Sequence, residues 1–402
     1  MADLALVPPL RRSLHSEVRP DPLREPLARE VAASMQTLLD PERLQAIAED
    51  ERIVQKVRVH HLGLLACSLI LSAYQRSTDT QGRWLDAQRL YEQLGGPSSS
   101  KTSFRTGARR CRRLFQMLVQ RALKALAKSA PAPLRGRLAH FHDVLIPDGC
   151  AFKLAAALSG RYQGTGTPAE LKLHTVYSVR VADALSVTPS SGKVHDSDGF
   201  WPDAWQKDAL YIWDLGYQNN ARFLDAHAAG AHVLQRLKDG ANPVARYSYG
   251  PTGASRRLAH DDGRAMRLDE AITFGFVHKR AVLDLDVELR EEDGRRAVVR
   301  VVCVPFEGED RYYLTTLPRA IFTPHDVAEL YRIRWEVELF FRNWKGALRL
   351  DEVERLRHPE SLDAAVYAAL CASLLSADLH RRLERLSTPP KSQPVSMPAF
   401  PP

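Results

Sequence analysis

Cysteine is scarce: five in 402 residues, at positions 67, 111, 150, 303 and 371, with no CxxC pair. An odd, scattered set excludes a disulfide framework and a cysteine-rich zinc site. A reduced, cytoplasmic chain is expected. No apolar run approaches the roughly 20 residues that a membrane span needs. The opening stretch, MADLALVPPLRRSLHSEV, has no apolar core of signal-peptide length followed by a cleavage site. No internal repeat is visible. Acid is also missing, from one region: between Lys101 and His140 there are eleven Lys or Arg residues and no Asp or Glu.

What is present is ordinary in amount and uneven in placement. Hydrophobic residues make up 45% and charged residues 26%, as in a globular protein. The length predicts two or three domains. A net charge of +8 favours an anionic partner, either nucleic acid or a membrane surface. Residues 1–27, rich in proline and charge, read as a flexible arm. From 28 to 138 the apolar period is helical, and HHLGLLACSLILSAY is apolar enough to be a buried core helix. The loop QLGGPSSSKTS, with Ser103 as its candidate cap, precedes a helix from about Phe104 to Lys128. On it Arg105, Arg109, Arg112 and Arg113 fall three or four apart, with Leu114, Met117 and Leu118 opposite. This basic side reads as a contact to the DNA backbone, since phosphate neutralisation dominates nucleic-acid affinity. A solvated basic face is the alternative.

After the joint PAPLRGRL the period changes to strands. VLIPDG (144–149) reads as a short buried strand ending in Asp148 and a turn glycine, with Asp143 as the alternative acid. LKLHTVYSV and ALSVTPSSG follow as two strands. ALYIWDLGY (209–217) is another buried strand, with Asp214 near its end. A helix and the strand AHVLQRL come next. Within 239–318, LDLDVEL and AVVRVVCV form a hairpin around Asp293-Gly294. There Asp284, Asp286 and Glu288 read as solvated sheet surface. His195 and Asp196 lie in a polar loop, where such a pair is more often incidental, and His174 reads as a core histidine. The apolar helix after Lys345 should pack on the preceding domain. The tail at 387–402 carries six prolines in sixteen residues and should be disordered.

The stretch Thr323 to Leu348 reads as one helix, with Thr323 as cap and Pro324 at its first position. At 100° per residue from Tyr331, Arg334 falls at about −60°, Glu338 at about −20°, Arg342 at about +20° and Lys345 at about −40°. Leu330, Val337, Phe341, Trp344 and Leu348 gather on the side that should bury. A lone carboxylate in a cationic stripe suits a metal-holding group whose neighbours grip phosphate. A solvated face with an ordinary Arg334–Glu338 pair is the alternative.

The spacing Tyr331, Arg334, Glu338, Lys345 resembles the Y-R-E-K signature of DDE transposases from bacterial insertion sequences, and more narrowly the insertion-sequence-four family. VLIPDG and LYIWDLGY resemble that family's two aspartate strands. The resemblance covers most of 30–380. Two positions depart from the pattern: Cys150 follows Gly149 where Thr or Ser is common, and Leu215 stands where an arginine often precedes Gly-Tyr.

The resemblance implies an α/β fold. An RNase H-like catalytic core (139–238 and 319–386) is interrupted by a β-rich insertion (239–318) and preceded by an all-α DNA-binding domain (28–138). It implies Asp148, Asp214 and Glu338 as catalytic metal ligands. They would hold two Mg2+ per site, with Mn2+ as a substitute. It further implies that Tyr331, Arg334 and Lys345 hold DNA, with Arg342 beside them. The partners would be terminal inverted repeats and target DNA, bound by a homodimer near the bacterial nucleoid. A nuclease without strand transfer and a catalytically inactive DNA-binding repressor are the alternatives.

Overall fold

The computed structural model describes residues 39–53, 60–74, 82–128, 133–199, 204–238, 240–277, 282–346 and 350–387, with Ala33, Pro202 and Leu348 singly. The expected arm at 1–27 and the tail beyond Ser387 lie outside these. Residues 41–377 form one compact unit. Residues 378–402 fall in a second unit with residues 1–40; within it Arg382 donates to Asp378 at 2.7 Å.

Among the described residues five helices lead: α1 (Pro41–Asp50), α2 (Leu62–Ser72), α3 (Gly82–Gln93), α4 (Lys101–Arg109) and α5 (Cys111–Lys128). α2 buries Leu62, Leu65, Ala66, Leu69 and Ile70. Its composition leaves no polar face, so it can only be a core helix. The basic segment differs from expectation. Ser100, not Ser103, caps α4 by accepting from the Ser103 N–H. The helix then breaks at Arg110, so the four arginines do not share one continuous face.

Eleven strands form one mixed sheet: β1 (Val144–Lys153), β2 (Glu170–Ser178), β3 (Asp183–Ser191), β4 (Leu210–Trp213), β5 (His232–Arg236), β6 (Val244–Tyr249), β7 (Ser255–Arg257), β8 (Met266–Arg267), β9 (Leu283–Arg290), β10 (Arg296–Phe306) and β11 (Glu309–Thr315). The order is β3-β2-β1-β4-β5-β11-β10-β9-β6-β7, with β8 paired to β6. β1, β2 and β3 are antiparallel, whereas β1, β4 and β5 are parallel. The crossover from β4 to β5 is α6 (Asn220–Ala228), capped by Asn219. Short, wholly buried β4 (LYIW) fits a parallel strand covered on both faces.

The strands between 239 and 318 continue this same sheet, because β11 pairs with β5. Helix α7 (Leu268–Val277) joins β8 to β9. The β9–β10 turn holds Gly294 at φ +87°, a conformation that costs glycine nothing. Asp284 and Glu288 are buried, at 8% and 7% exposure, which corrects the expected solvated surface. Arg300 and Arg319 both reach Asp284, and Arg246 and Arg290 both reach Glu288. Charges this buried persist only when paired.

Three helices come last among the described residues: α8 (Pro324–Arg332), α9 (Trp335–Gly346) and α10 (Pro359–Ser387). Within α10, residues Pro359–Arg382 are long and apolar enough to cross a membrane by length and composition. This corrects the sequence expectation that no such run exists. More than half of its most apolar eighteen-residue window is buried, and Ser361, Ala365 and Ser373 of the helix accept from Arg109, Arg83 and Trp344.

Candidate active site

The site is built where β1 and β4 meet the α8–α9 junction. Thr323 caps α8 in a full capping box: it accepts from the Asp326 N–H, and Asp326 accepts from the Thr323 N–H. Behind the cap, Arg300 donates to the Phe322 carbonyl at 2.7 Å while gripping Asp284 at 2.8–2.9 Å. The entry to α8 is thereby fixed to the sheet. Leu330, Val337, Phe341, Trp344 and Leu348 all bury, as their shared side predicts.

The single helix expected over 323–348 is in fact two. Between them the backbone bonds tighten to three-residue turns: Arg334 N to Tyr331 O, Glu336 N to Ile333 O and Val337 N to Arg334 O. Arg334 therefore sits in a break, and its guanidinium turns inward.

Asp148 lies inside β1, opposite Thr175, and the strand runs on to Lys153 instead of turning at Gly149. β4 ends at Trp213, so Asp214 is the first residue beyond it. Glu338 is in the first turn of α9. These three carboxylates converge on Arg334. Its Nη1 is 3.5 Å from Asp148 Oδ2, its Nε 3.9 Å from Asp214 Oδ1, and its Nη2 2.5 Å from Glu338 Oε1. Tyr331 completes the group by donating to Asp214 Oδ1 at 3.3 Å. Asp143 is elsewhere engaged, accepting from the Val144 and Arg180 N–H groups and from Ser178.

Burial pushes the Asp148 carboxyl up to about 6, against the lowering pull of the Gly149 N–H and the Arg334 charge. Burial likewise raises Tyr331, with the Asp214 charge adding to it. Burial pulls Arg334 down, but Asp214 and Glu338 outweigh it and raise it overall.

Among the described residues, no group of three or more Asp, Glu, His or Cys side chains stands arranged for a metal. The Arg334 guanidinium stands at the point on which the three carboxylates converge. The donor set itself, all carboxylate oxygen, has the chemistry that Mg2+ prefers.

The other candidates divide. Lys345 is exposed, its Nζ 5.7 Å from the Phe152 ring centre, and Arg342 is exposed on α9. Arg113 is exposed and Arg105 half-buried. Arg109 instead donates to Ser361 at 2.9 Å, and Arg112 pairs with Glu360 at 3.6 Å, both on α10. The acid lacking near these arginines in sequence is supplied by Glu360, far along the chain on α10. Sequence reasoning set aside Asp196, which the fold places beside Gly149 and Gly216, next to the backbone that follows Asp148 and Asp214. The signal was present in Lys172, His174 and His195-Asp196, but only the β1–β2 register brings it to the site.

An α/β sheet with acids at adjoining parallel strands and a third acid on a late helix thus gathers three carboxylates at one site. The family model described as "Transposase DDE domain" matches residues 140–375, and the chain belongs to that family. The transposase for insertion sequence element IS421 of Escherichia coli is 38% identical over 79 residues, 20% of each chain. The transposase for IS1151 of Clostridium perfringens is 22% identical over 278 residues, 60% of this chain and 57% of its own. That for IS231B of Bacillus thuringiensis subsp. berliner is 21% identical over 285 residues, covering 62% and 59%. The chain thus spans a fifth of the first and under two-thirds of the others. A piggyBac transposase synaptic complex with hairpin DNA is similar in structure over 90% of this chain and 82% of that one, with TM-score 0.41 and 10% identity.

Proposed function

We propose that this chain is an insertion-sequence transposase with an RNase H-like catalytic core and the Y-R-E-K signature. It binds terminal inverted repeats, cleaves the strand at the element's end by hydrolysis, and joins the freed 3′-hydroxyl to target DNA. The observation that carries this reading is the convergence of Asp148, Asp214 and Glu338, from three separate elements, on one cationic point. Three carboxylates gathered from positions 148, 214 and 338 serve no packing purpose, and gathering them costs repulsion that only a cation offsets.

Asp148, Asp214 and Glu338 would hold Mg2+, or Mn2+ in its place, two ions per site, which supply activation of the attacking oxygen and charge for the leaving oxygen. The chain's own part is alignment. Asp148, on a strand pinned at both edges, is the rigid member, and Glu338, on a helix docked by Trp344, closes from the other side. Arg334 and Tyr331 stand where an incoming phosphate meets the carboxylates. When DNA arrives, its phosphate draws the guanidinium off the acids and leaves them to the cation. Lys345 and Arg342 extend the positive edge along α9, and Arg105 and Arg113 provide backbone contacts from the helical segment. Trp335, 48% exposed beside the site, is placed to stack on a displaced base. Two element ends must meet in one reaction, so the DNA-bound form is a homodimer, acting in the cytoplasm at the nucleoid.

The test is direct. The protein is incubated with a duplex carrying its element's terminal sequence and Mg2+, beside Glu338→Gln, and products are mapped at nucleotide resolution. Metal-dependent cuts at the element boundary that vanish in the variant, followed by joined products, are expected. Cutting without joining would leave a nuclease, and binding without cutting a repressor.

A further inference from the structure

Asp196 belongs to a single helical turn, Asp196–Gly199, that no part of the proposed reaction uses. The turn is tied down from several directions. Lys172 Nζ donates to the Val194 carbonyl at 3.1 Å and stands 3.2 Å from Asp196 Oδ1. Arg222 donates to the Ser197 carbonyl and lies 3.8 Å from Asp198. Gly199 rests on the His174 ring so closely that a Cβ there would lie 2.0–2.2 Å from ring atoms. The result of this anchoring is one placement. Asp196 Oδ1 lies 2.6 Å from where a Cβ on Gly149 would stand, and Oδ2 lies 3.9 Å from that point on Gly216. Gly149 follows Asp148 and Gly216 is two residues past Asp214, so the carboxylate lies between the backbone beside Asp148 in β1 and the backbone just past the end of β4.

Around it, polar groups are left without partners. His174, with its side chain 1% exposed, bonds Ser190 through Nε2 at 2.7 Å, while its Nδ1 faces Asp196 Oδ1 at 3.9 Å with no hydrogen bond. The Tyr217 hydroxyl, on a residue 4% exposed, also has no hydrogen-bond partner, and the charges of Asp196, Asp148 and Asp214 all act on it. A small hydrogen-bonding molecule such as water would satisfy buried polar groups left open in this way.

We propose that Asp196 is a further positioning residue of the site, whose carboxylate accepts a hydrogen bond from the water that attacks the end phosphate and so aims it. The water oxygen bonds phosphorus as the bond to the 3′-oxygen breaks. The proton that water loses is balanced by the one the leaving 3′-oxygen gains as it becomes the free 3′-hydroxyl. The inference rests on the transposase reading above. Its force lies in the difference between the two nucleophiles of that reaction. A 3′-hydroxyl is held by its own DNA strand, so binding the end already orients it. A free water has no such tether, and its aim depends on a side chain. Asp196 therefore matters for hydrolysis and not for joining.

The test measures both steps with the full chain in Mg2+. One substrate is the uncut terminal duplex, which is nicked by water. The other is the same end already cut, with a free 3′-hydroxyl, which is joined to a plasmid. Asp196→Ala should nick about a hundredfold more slowly, the scale of a lost orienting contact. Its joining should stay within about threefold of the parent, which also shows that the variant is folded. Asp196→Asn, keeping an acceptor oxygen, should recover most of the nicking. Nicking and joining that fall together would make Asp196 only a latch for its turn and overturn the proposal, as would nicking that does not fall. Glu338→Gln is run alongside. If it cuts and joins normally, the carboxylate reading fails and this inference with it. If it is dead while Asp196→Ala behaves like the parent, only the role of Asp196 fails.

Discussion

Replacing Arg334 by glutamine should make the DNA-free protein bind a divalent cation more tightly. In the parent, a cation must first displace a guanidinium held by three carboxylates. The closest contact, to Glu338 at 2.5 Å, is a charge-assisted hydrogen bond. Such bonds contribute about 1.5–3 kcal/mol. Glu338 is 33% exposed, so water screens it and the low end applies. The looser contacts, to Asp148 at 3.5 Å and Asp214 at 3.9 Å, form no hydrogen bond and add less. A competitor worth about 1.5 kcal/mol weakens cation binding about tenfold. Arg334→Gln removes that competition by taking away the charge while keeping a shorter, polar side chain. Calorimetric titration with Mn2+ at pH 7.5, without DNA, should show Kd falling about tenfold. Adding Glu338→Gln to this variant should abolish the gain. An unchanged or weaker Kd in Arg334→Gln would refute the competition, because the guanidinium would then be organising the carboxylates for the cation instead of holding their place.

Other outcomes follow from the same contacts. Asp148, pushed up to about 6 by burial, must ionise to serve a cation, so cleavage should rise as pH passes upward through about 6. The sign for stability is opposite. A carboxyl whose folded value lies above its unfolded one binds more protons when folded, so the metal-free protein should lose stability as pH rises from about 4 to 6. A melting series across that range, in parent and Asp148→Asn, isolates the effect, since the variant should lack it. Arg300→Met leaves Asp284 buried with Arg319 as its remaining partner and should cost about 3 kcal/mol. Urea unfolding would measure it, and a loss under 1 kcal/mol would show the network to be dispensable. Arg105→Ala and Arg113→Ala should each lower the salt-dependence slope of DNA binding by about 1. Arg112→Ala should leave that slope unchanged, because its partner is Glu360.

The sequence carried the signals that depend on neighbours along the chain. Thr323, Pro324 and Asp326 announce a helix start because capping needs only the next three residues. The apolar side of 330–348 was equally plain, since burial follows the period. What it could not show is the break at Ile333 and Arg334. No proline or glycine marks it, and the tightening to three-residue turns is imposed by docking Tyr331 and Arg334 onto acids more than 100 residues away. The acids of β9 failed for a related reason. Alternation says which residues share a face but not whether that face is covered. Arg300 interrupting the apolar run AVVRVVCV was the available hint, because a charge in a buried strand needs an acid opposite. The basic segment misled through its own emptiness: local absence of acid says nothing about Glu360.

The break has a chemical consequence that a continuous helix would lack. At 3.6 residues per turn, Arg334 would point along α9 beside Glu338, and the pair would be an ordinary surface contact. Tightened backbone turns the guanidinium into the acids, so one cationic side chain can answer to two partners, carboxylate or phosphate. A lysine there would keep the charge but lose the fork that reaches Asp148 and Glu338 from separate nitrogens. Arg334→Lys should therefore keep part of the affinity for end DNA yet show the tighter Mn2+ binding of Arg334→Gln. If Arg334→Lys instead matched the parent in Mn2+ affinity, charge alone would explain the competition, and the geometry of the break would have no part in it.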